Sequence, residues 1–274
     1  MNIVILSSIA VLIVVFTSSL IVYRTVRQRQ TANYLAINHS DGIAEQRFIA
    51  VGGVEQFVQI RGEDRNNPVL LFLHGAGMSM IPFTPLFRSW EKFFTVVQWD
   101  RRGIGRTLGR NGLDGSDSWT FEDLVRDGVE VAEFILNHLQ KSKLVLVGHS
   151  QGSIIGLAMA NRHPGFFFAY VGTAQIADMV QNELTSYAMA VERANSSGNG
   201  KALSALRKIG APPYGNSHQW FVKQQWSFAT DPELQAWQKT APRLAFVAPN
   251  FSIRDLVLFQ KALCLCRPRF LNKP

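Results

Sequence analysis

The stretch Lys143–Arg162, KLVLVGHSQGSIIGLAMANR, decides the fold class of this chain. It begins with Lys143–Val147, an almost wholly apolar and β-favouring run that predicts a buried strand. The pentapeptide GHSQG follows, and Ile154–Ala160 then has the composition of a helix. In a strand–turn–helix context of this kind, a G-x-S-x-G motif places its serine at the tip of a sharp turn.

Ser150 is therefore the candidate nucleophile of the chain. In such a turn the hydroxyl stands clear of the backbone, and the N-terminus of the following helix faces any negative charge that forms there. We expect Gly148, His149 and Gly152 to support this elbow, the two glycines because side chains would clash in so tight a bend. The alternative is an ordinary turn in which Ser150 only caps the helix.

Composition limits the other classes of function. Apolar residues make up 47% of the 274 residues and charged residues 18%, which suits one α/β domain with an additional apolar segment. The net charge of +8 could favour anionic membranes or polyanions. No stacking-aromatic or basic-helix pattern indicates nucleic acid. Cys264 and Cys266 have no further ligand at metal spacing, so we expect no metal, no redox role and no cofactor.

The N-terminal run Ile3–Val22 is uncharged and long enough to cross a bilayer as a helix. Three arginines follow it: Arg24, Arg27 and Arg29. We predict a transmembrane helix over residues 3–23 and a juxtamembrane linker over 24–46. By the positive-inside rule the following domain faces the cytoplasm, which gives a single-pass membrane protein. A cleaved signal peptide is the alternative, but no basic residue precedes the run and no A-x-A site follows it.

The rest of the chain alternates between strand and helix signals. The expected strands are a hairpin around Gly52-Gly53 (Arg47–Val51 and Val54–Ile60), Pro68–Leu73, Phe94–Trp99 and Phe166–Gly172, and Thr120–Gln140 is an expected helix. The loop His74-Gly75-Ala76-Gly77 follows a buried strand. Backbone N–H groups in this loop can supply one donor of an oxyanion hole, and the N–H of Gln151 can supply the other. His74 itself is expected to be structural.

The motifs and elements run in the order strand, H-G-A-G loop, strand, W-D-R-R-G-I-G-R-T, helix, strand, G-H-S-Q-G and helix. This order resembles that of the α/β-hydrolase family. The W-D-R-R-G-I-G-R-T segment looks like the D-Q-R-G-x-G-x-S segment of its proline iminopeptidase-type members. The resemblance implies a mostly parallel sheet with helices on both faces over residues 47–175, and a helical cap with an irregular tail over 176–274. It also implies Ser150 as nucleophile, with oxyanion-hole N–H groups from Ala76 and Gln151.

The acid and histidine of the family's catalytic triad follow the nucleophile in chain order, each after a strand. Here His163 closes the nucleophile's own helix, and His218 lies within the cap. The later aspartates, Asp178, Asp231 and Asp255, follow no apolar strand that ends in a turn. We therefore expect the last core strands to be missing and the chain to stop inside or just after the cap.

These features predict a membrane-anchored serine hydrolase that cleaves an ester or amide bond, with an N-terminal peptide bond as one candidate. Its substrate would be a small molecule or a peptide, and its other partner the membrane. Without an acid and a base, the Ser150 hydroxyl would be a poor nucleophile. The alternative is a catalytically inactive hydrolase-fold protein that binds or scaffolds at the membrane, and a lipid-metabolic enzyme acting at the bilayer is a third possibility.

Overall fold

The computed structural model describes residues 2–112 and 119–265 of the chain. Six strands form one sheet in the order β1-β2-β4-β3-β5-β6. Their bounds are β1 Ile43–Val51, β2 Val54–Gly62, β3 Val69–Leu73, β4 Thr95–Asp100, β5 Leu144–His149 and β6 Phe167–Thr173. The β1–β2 and β2–β4 pairs are antiparallel, whereas β3, β4, β5 and β6 run parallel to one another. The predicted mostly parallel sheet is therefore confirmed.

Helices follow most of the strands. Their bounds are α1 Asn2–Tyr34, α2 Gly105–Asn111, α3 Phe121–His138, α4 Gln151–Arg162, α5 Met179–Ser196, α6 Gly200–Ile209, α7 Ser217–Thr230, α8 Pro232–Phe246 and α9 Ile253–Leu265. Helix α3 begins with a complete capping box between Thr120 and Asp123, and it buries its apolar face against the sheet together with α4. The predicted irregular tail beyond Leu265, including Cys266, lies outside the described residues.

Strands β3, β4 and β5 form the centre of the core because both of their faces are covered. All five residues of β3 and all six of β4 are buried, as continuous apolar runs in parallel sheets require. The β1–β2 hairpin turns at Gly52 and Gly53, whose φ angles of 55° and 79° match a type I′ turn. In the part of the chain that the structure describes, no strand follows β6, which lies at the edge of the sheet.

Helix α1 differs from the expected juxtamembrane linker. It has a segment long and apolar enough to cross a membrane, but the helix continues as far as Tyr34. Its second half packs against the domain: Arg24 donates hydrogen bonds to the carbonyl groups of Phe246 and Phe251, and Gln28 donates to that of Ala248 at 2.8 Å. These distant acceptors explain why a polar segment without an obvious apolar face is helical. Strand β1 also begins four residues before the expected Arg47.

The region after β6 is helical, as the composition indicated. Helices α5, α6 and α7 pack on one another around a small cluster that includes Ala190, Ala194 and Leu206. Helices α8 and α9 instead pack against the loop after β3, where Phe83 contacts the rings of Trp237 and Phe259 at centroid distances of 5.0 and 6.0 Å. Of the scattered aromatic residues, Trp226 and Trp237 pack in these two clusters, whereas Phe221 is exposed.

Candidate active site

Ser150 occupies the sharp turn between β5 and α4. Its φ of 52° and ψ of −122° are unusual for a residue other than glycine, and such strained backbone is characteristic of a nucleophile elbow. The turn is held by the Ser150 N–H, which donates to the Thr173 carbonyl at 3.0 Å, and by the Ser150 carbonyl, which accepts from the Ser153 N–H at 2.8 Å and its Oγ at 2.6 Å. The side chain does not cap α4.

The two glycines of the elbow are required by lack of space. A Cβ atom at Gly148 would lie 2.6 Å from the Gly152 carbonyl oxygen and 2.7 Å from the Cα of Ser153. A Cβ at Gly152 would lie 2.7 Å from the carbonyl oxygen of His74 and closer still to that of Leu73. Neither glycine has a positive φ. The end of β3 and the start of α4 can therefore approach one another only with glycine at these positions.

The His74–Gly77 loop lies beside Ser150. A Cβ atom at Gly75 would be 3.2 Å from the Cβ of Ser150. Among the described residues, the N–H of Ala76 has no hydrogen-bond acceptor. The N–H of Gln151 is the first of α4 and has no acceptor within the helix. The structure thus brings the loop that contains Ala76, one predicted oxyanion-hole donor, next to Ser150. The other predicted donor, Gln151, directly follows this serine.

His74 is fully buried beneath this loop, and burial keeps its pKa well below the ordinary value, as does the charge of Arg101. Its Nδ1 is 2.7 Å from the Gly75 carbonyl oxygen. Because a carbonyl can only accept, this short contact favours a proton on Nδ1 over acceptance by Nδ1 from Arg101 Nη2, which lies farther away at 3.3 Å. His74 is therefore a structural donor in the loop.

Arg101 was not among the predicted site residues, and only 2% of it is exposed. Its Nη2 donates to the carbonyl oxygens of His74 and Gly75 at 2.8 and 2.9 Å, and lies 3.3 Å from Oε1 of Gln151. Arg102, one residue on, instead pairs with the buried Asp127 through both nitrogens of its fork. The run of basic residues after β4 gives no signal that distinguishes these two roles.

The described residues supply no partner for the Ser150 hydroxyl, since no hydrogen bond joins it to any of them. His149 contacts Thr173 Oγ1 at 3.0 Å, and burial lowers its pKa. His163 ends α4, about 18 Å along the helix from its start, and stacks on Phe166. His218 lies in the first turn of α7.

The three later aspartates have structural roles. Asp178 accepts the Gln181 N–H and caps α5. Asp231 caps α8 and pairs with Arg193 at 2.6 Å. Asp255 accepts the Ser252 N–H at 2.8 Å at the start of α9. The part of the chain in the structure also holds no group of three His, Cys, Asp or Glu side chains that could bind a metal ion.

Comparison with known proteins agrees with this architecture. A family model described as alpha/beta hydrolase fold matches residues 68–199, from β3 to the end of α5. With the mostly parallel sheet, the elbow and the helical cap, this match places the chain in the α/β-hydrolase superfamily.

Individual proteins are similar to parts of the chain. The probable aminopeptidase YbaC of Bacillus subtilis is 34% identical over 189 residues, which are 68% of this chain and 58% of that protein. The human serine hydrolase BPHL is 32% identical over 124 residues, 45% of this chain and 40% of its own length. The chain thus spans less than two thirds of either relative. Among solved structures, a proline iminopeptidase-related protein of Thermus thermophilus has a TM-score of 0.52 at 19% identity, with 83% of this chain and 75% of that chain covered.

Proposed function

We propose that Ser150 is the nucleophile of a serine hydrolase that cleaves an ester or amide bond. The observation that carries the proposal is the strained backbone of Ser150, next to two backbone N–H groups, of Ala76 and Gln151, that have no acceptor among the described residues. Two such donors near a serine suit the negative charge of a tetrahedral intermediate. Ala76 and Gln151 are accordingly the proposed oxyanion hole.

The N-terminal peptide bond is the first candidate substrate within this class. The support is the aminopeptidase name of the Bacillus relative. Small-molecule esters are the second candidate, since lipases and esterases also carry a G-x-S-x-G elbow.

The described residues give Ser150 neither a general base nor an acid, so we propose that this chain reacts slowly on its own. A serine hydroxyl without a base is scarcely ionised near neutral pH. An intact oxyanion hole still gives a residual acceleration of about 10³–10⁴ over water in a well-studied serine hydrolase. The second candidate function, a catalytically inactive binding or scaffold protein, is favoured by the same absence of a partner for the Ser150 hydroxyl.

Covalent labelling separates the two. The full chain in detergent micelles is incubated with a fluorophosphonate probe, and the labelled residue is identified by mass spectrometry beside Ser150→Ala. Slow, stoichiometric labelling of Ser150, absent from the alanine variant, supports the hydrolase. Equal labelling of both proteins, or labelling of neither, would favour the binding protein.

Membrane anchoring by α1 is part of the same proposal. The support is an apolar segment of α1 with mean hydropathy 2.6, none of which is buried against the rest of the protein. A signal sequence has the same two properties. By the positive-inside rule, the basic flank of α1 supports a hydrolase domain that faces the cytoplasm. An anchor is supported if the expressed chain resists alkaline extraction from membranes and its measured mass shows that α1 is still present. A mature chain that begins after the apolar segment would contradict it.

A further inference from the structure

The guanidinium group of Arg101 lies beneath the His74–Gly77 loop, which contains the proposed oxyanion-hole donor Ala76. A buried charge is costly unless hydrogen bonds compensate for the lost water. Here Nη2 donates to two successive carbonyl groups, those of His74 and Gly75. Both carbonyls belong to a loop without helix or strand hydrogen bonds, so the arginine supplies bonds that regular structure would otherwise provide.

The Gly75 carbonyl determines where the Ala76 N–H points. The two groups share one peptide plane, and in a trans peptide they point in opposite directions. The peptide is trans, because the only cis bond in the described chain is Pro212-Pro213. The Gly75 oxygen accepts from Arg101 Nη2 at 2.9 Å and from His74 Nδ1 at 2.7 Å, and these two nitrogens lie side by side, 3.3 Å apart. Two donors thus direct this carbonyl inward and the Ala76 N–H away from them.

Arg101 also touches the segment of the second donor. Its Nη2 lies 3.3 Å from the side-chain oxygen of Gln151, whose backbone N–H begins α4. One planar group therefore bridges the loop after β3 and the first residue of the nucleophile helix. A guanidinium group suits this task because its donors have a fixed geometry.

We propose that Arg101 is a positioning residue of the oxyanion hole, which orients the Ala76 N–H through the Gly75 carbonyl and ties that loop to Gln151. This inference rests on the proposed function. Its positive charge also lies behind the loop, where it stabilises negative charge that develops on the bound oxygen.

The test compares two phosphonylating probes on the full chain in detergent. In each, an Oγ–P bond forms at Ser150, the P–F bond breaks, fluoride leaves and the hydroxyl proton passes to solvent. One probe carries P=O, the other P=S. Charge in the transition state develops on oxygen in the first and on sulfur, a weak hydrogen-bond acceptor, in the second. The ratio of the oxo to the thiono rate therefore measures the oxyanion hole rather than the amount of folded protein.

We expect Arg101→Met and Arg101→Gln to lower this ratio about tenfold, less than the 10²–10³ lost when a donor itself is removed. Arg101→Lys, which keeps the charge and a donor, should restore part of it. Arg102→Lys is the matched control: it weakens a neighbouring buried ion pair with Asp127, so it should lower stability and leave the ratio unchanged.

The outcomes separate the two proposals. If the variants keep the ratio within twofold of the parent while Ser150→Ala abolishes labelling, the nucleophile stands and the role of Arg101 is wrong. If Arg102→Lys lowers the ratio as much as Arg101→Met, the effect is general loosening and the proposal is also overturned. If Arg101→Met does not fold, the Gln and Lys variants decide. Absence of any Ser150-dependent labelling of the parent chain overturns both proposals together.

Discussion

At Ser150, backbone strain and close packing act on the same few atoms. The positive φ of the serine is tolerated because hydrogen bonds from Ser153 and to Thr173 fix the peptides on both sides. The neighbouring glycines leave room for β3 to approach α4. Strain and packing therefore project the hydroxyl away from the backbone, which is what a nucleophile needs.

Gly152→Ala should destabilise the fold strongly because its Cβ would overlap the Leu73 carbonyl, and carbonyl groups of a central strand cannot move aside. Overpacking of this kind costs about 1–3 kcal/mol or more. Gly165→Ala is the control, since its Cβ would meet nothing within 4 Å. Chemical denaturation in detergent compares the two. Equal midpoints for both variants would show that the elbow is looser than described.

Asp100 should give the fold an unusual pH dependence. Burial raises its pKa from 3.8 to about 6, although its carboxylate accepts the Arg106 N–H at 2.9 Å. A group with a raised pKa in the folded state contributes stability that is complete below pH 3.8 and lost as the pH rises through 6. The contribution is about 3 kcal/mol.

Asp100→Asn should remove this term, since the amide oxygen can still accept the Arg106 N–H. His74, whose lowered pKa acts in the opposite direction, remains in both proteins. We therefore expect the difference in free energy of unfolding, parent minus variant, to decrease as the pH rises from about 4 to about 6.5. A difference that is constant with pH would contradict a buried, titrating Asp100.

At the scale of elements, β6 is the exposed feature of the sheet. Phe168 and Val171 on this edge strand are 65% and 45% exposed, and its outer backbone groups face no strand among the described residues. An exposed apolar edge is a template for pairing with another copy.

Val171→Lys should reduce concentration-dependent association because copies of a charged edge repel one another. Val180→Lys is the matched control, as Val180 is an exposed valine on α5, away from the sheet. Light scattering of the detergent-solubilised chain measures both. If the two lysines have equal effects, general solubility rather than edge pairing is responsible.

Several elements could be predicted because their signals are local. The apolar runs of β3, β4 and β5 and the Gly52-Gly53 turn each lie within a few consecutive residues. The role of Arg101 could not be predicted, because its acceptors are backbone carbonyls, which every residue carries. The helical state of residues 24–34 was also missed, since the groups that Arg24 bonds lie more than 200 residues away.

At the scale of the whole molecule, α1 is joined to the cap. Arg24 and Gln28 donate hydrogen bonds to carbonyl groups at the end of α8 and in the α8–α9 connection. Arg61 donates to the carbonyl of Leu35, just beyond the end of α1. If α1 spans a bilayer, these contacts fix the domain at a short distance from the membrane surface. The anchor and the cap then move as one body.

Arg24→Ala should loosen the α8–α9 connection, because the carbonyls of Phe246 and Phe251 lose a charged donor. Amide hydrogen exchange over residues 246–252 should rise about tenfold. Arg27→Ala is the control: among the described residues the Arg27 side chain bonds only Gln30, on its own helix, so its loss should leave exchange unchanged. Equal exchange in the two variants would mean that α1 does not brace the cap.

We propose that this chain carries a nucleophile and an oxyanion hole without a base for Ser150 among its described residues. The pH dependence of Ser150 labelling by the oxo fluorophosphonate, followed from about pH 6 to pH 9, tests this proposal. A hydroxyl activated only by hydroxide gives a rate that rises about tenfold per pH unit with no plateau, and that vanishes in Ser150→Ala. A plateau with a midpoint at about pH 7 would reveal a histidine base and overturn the proposal.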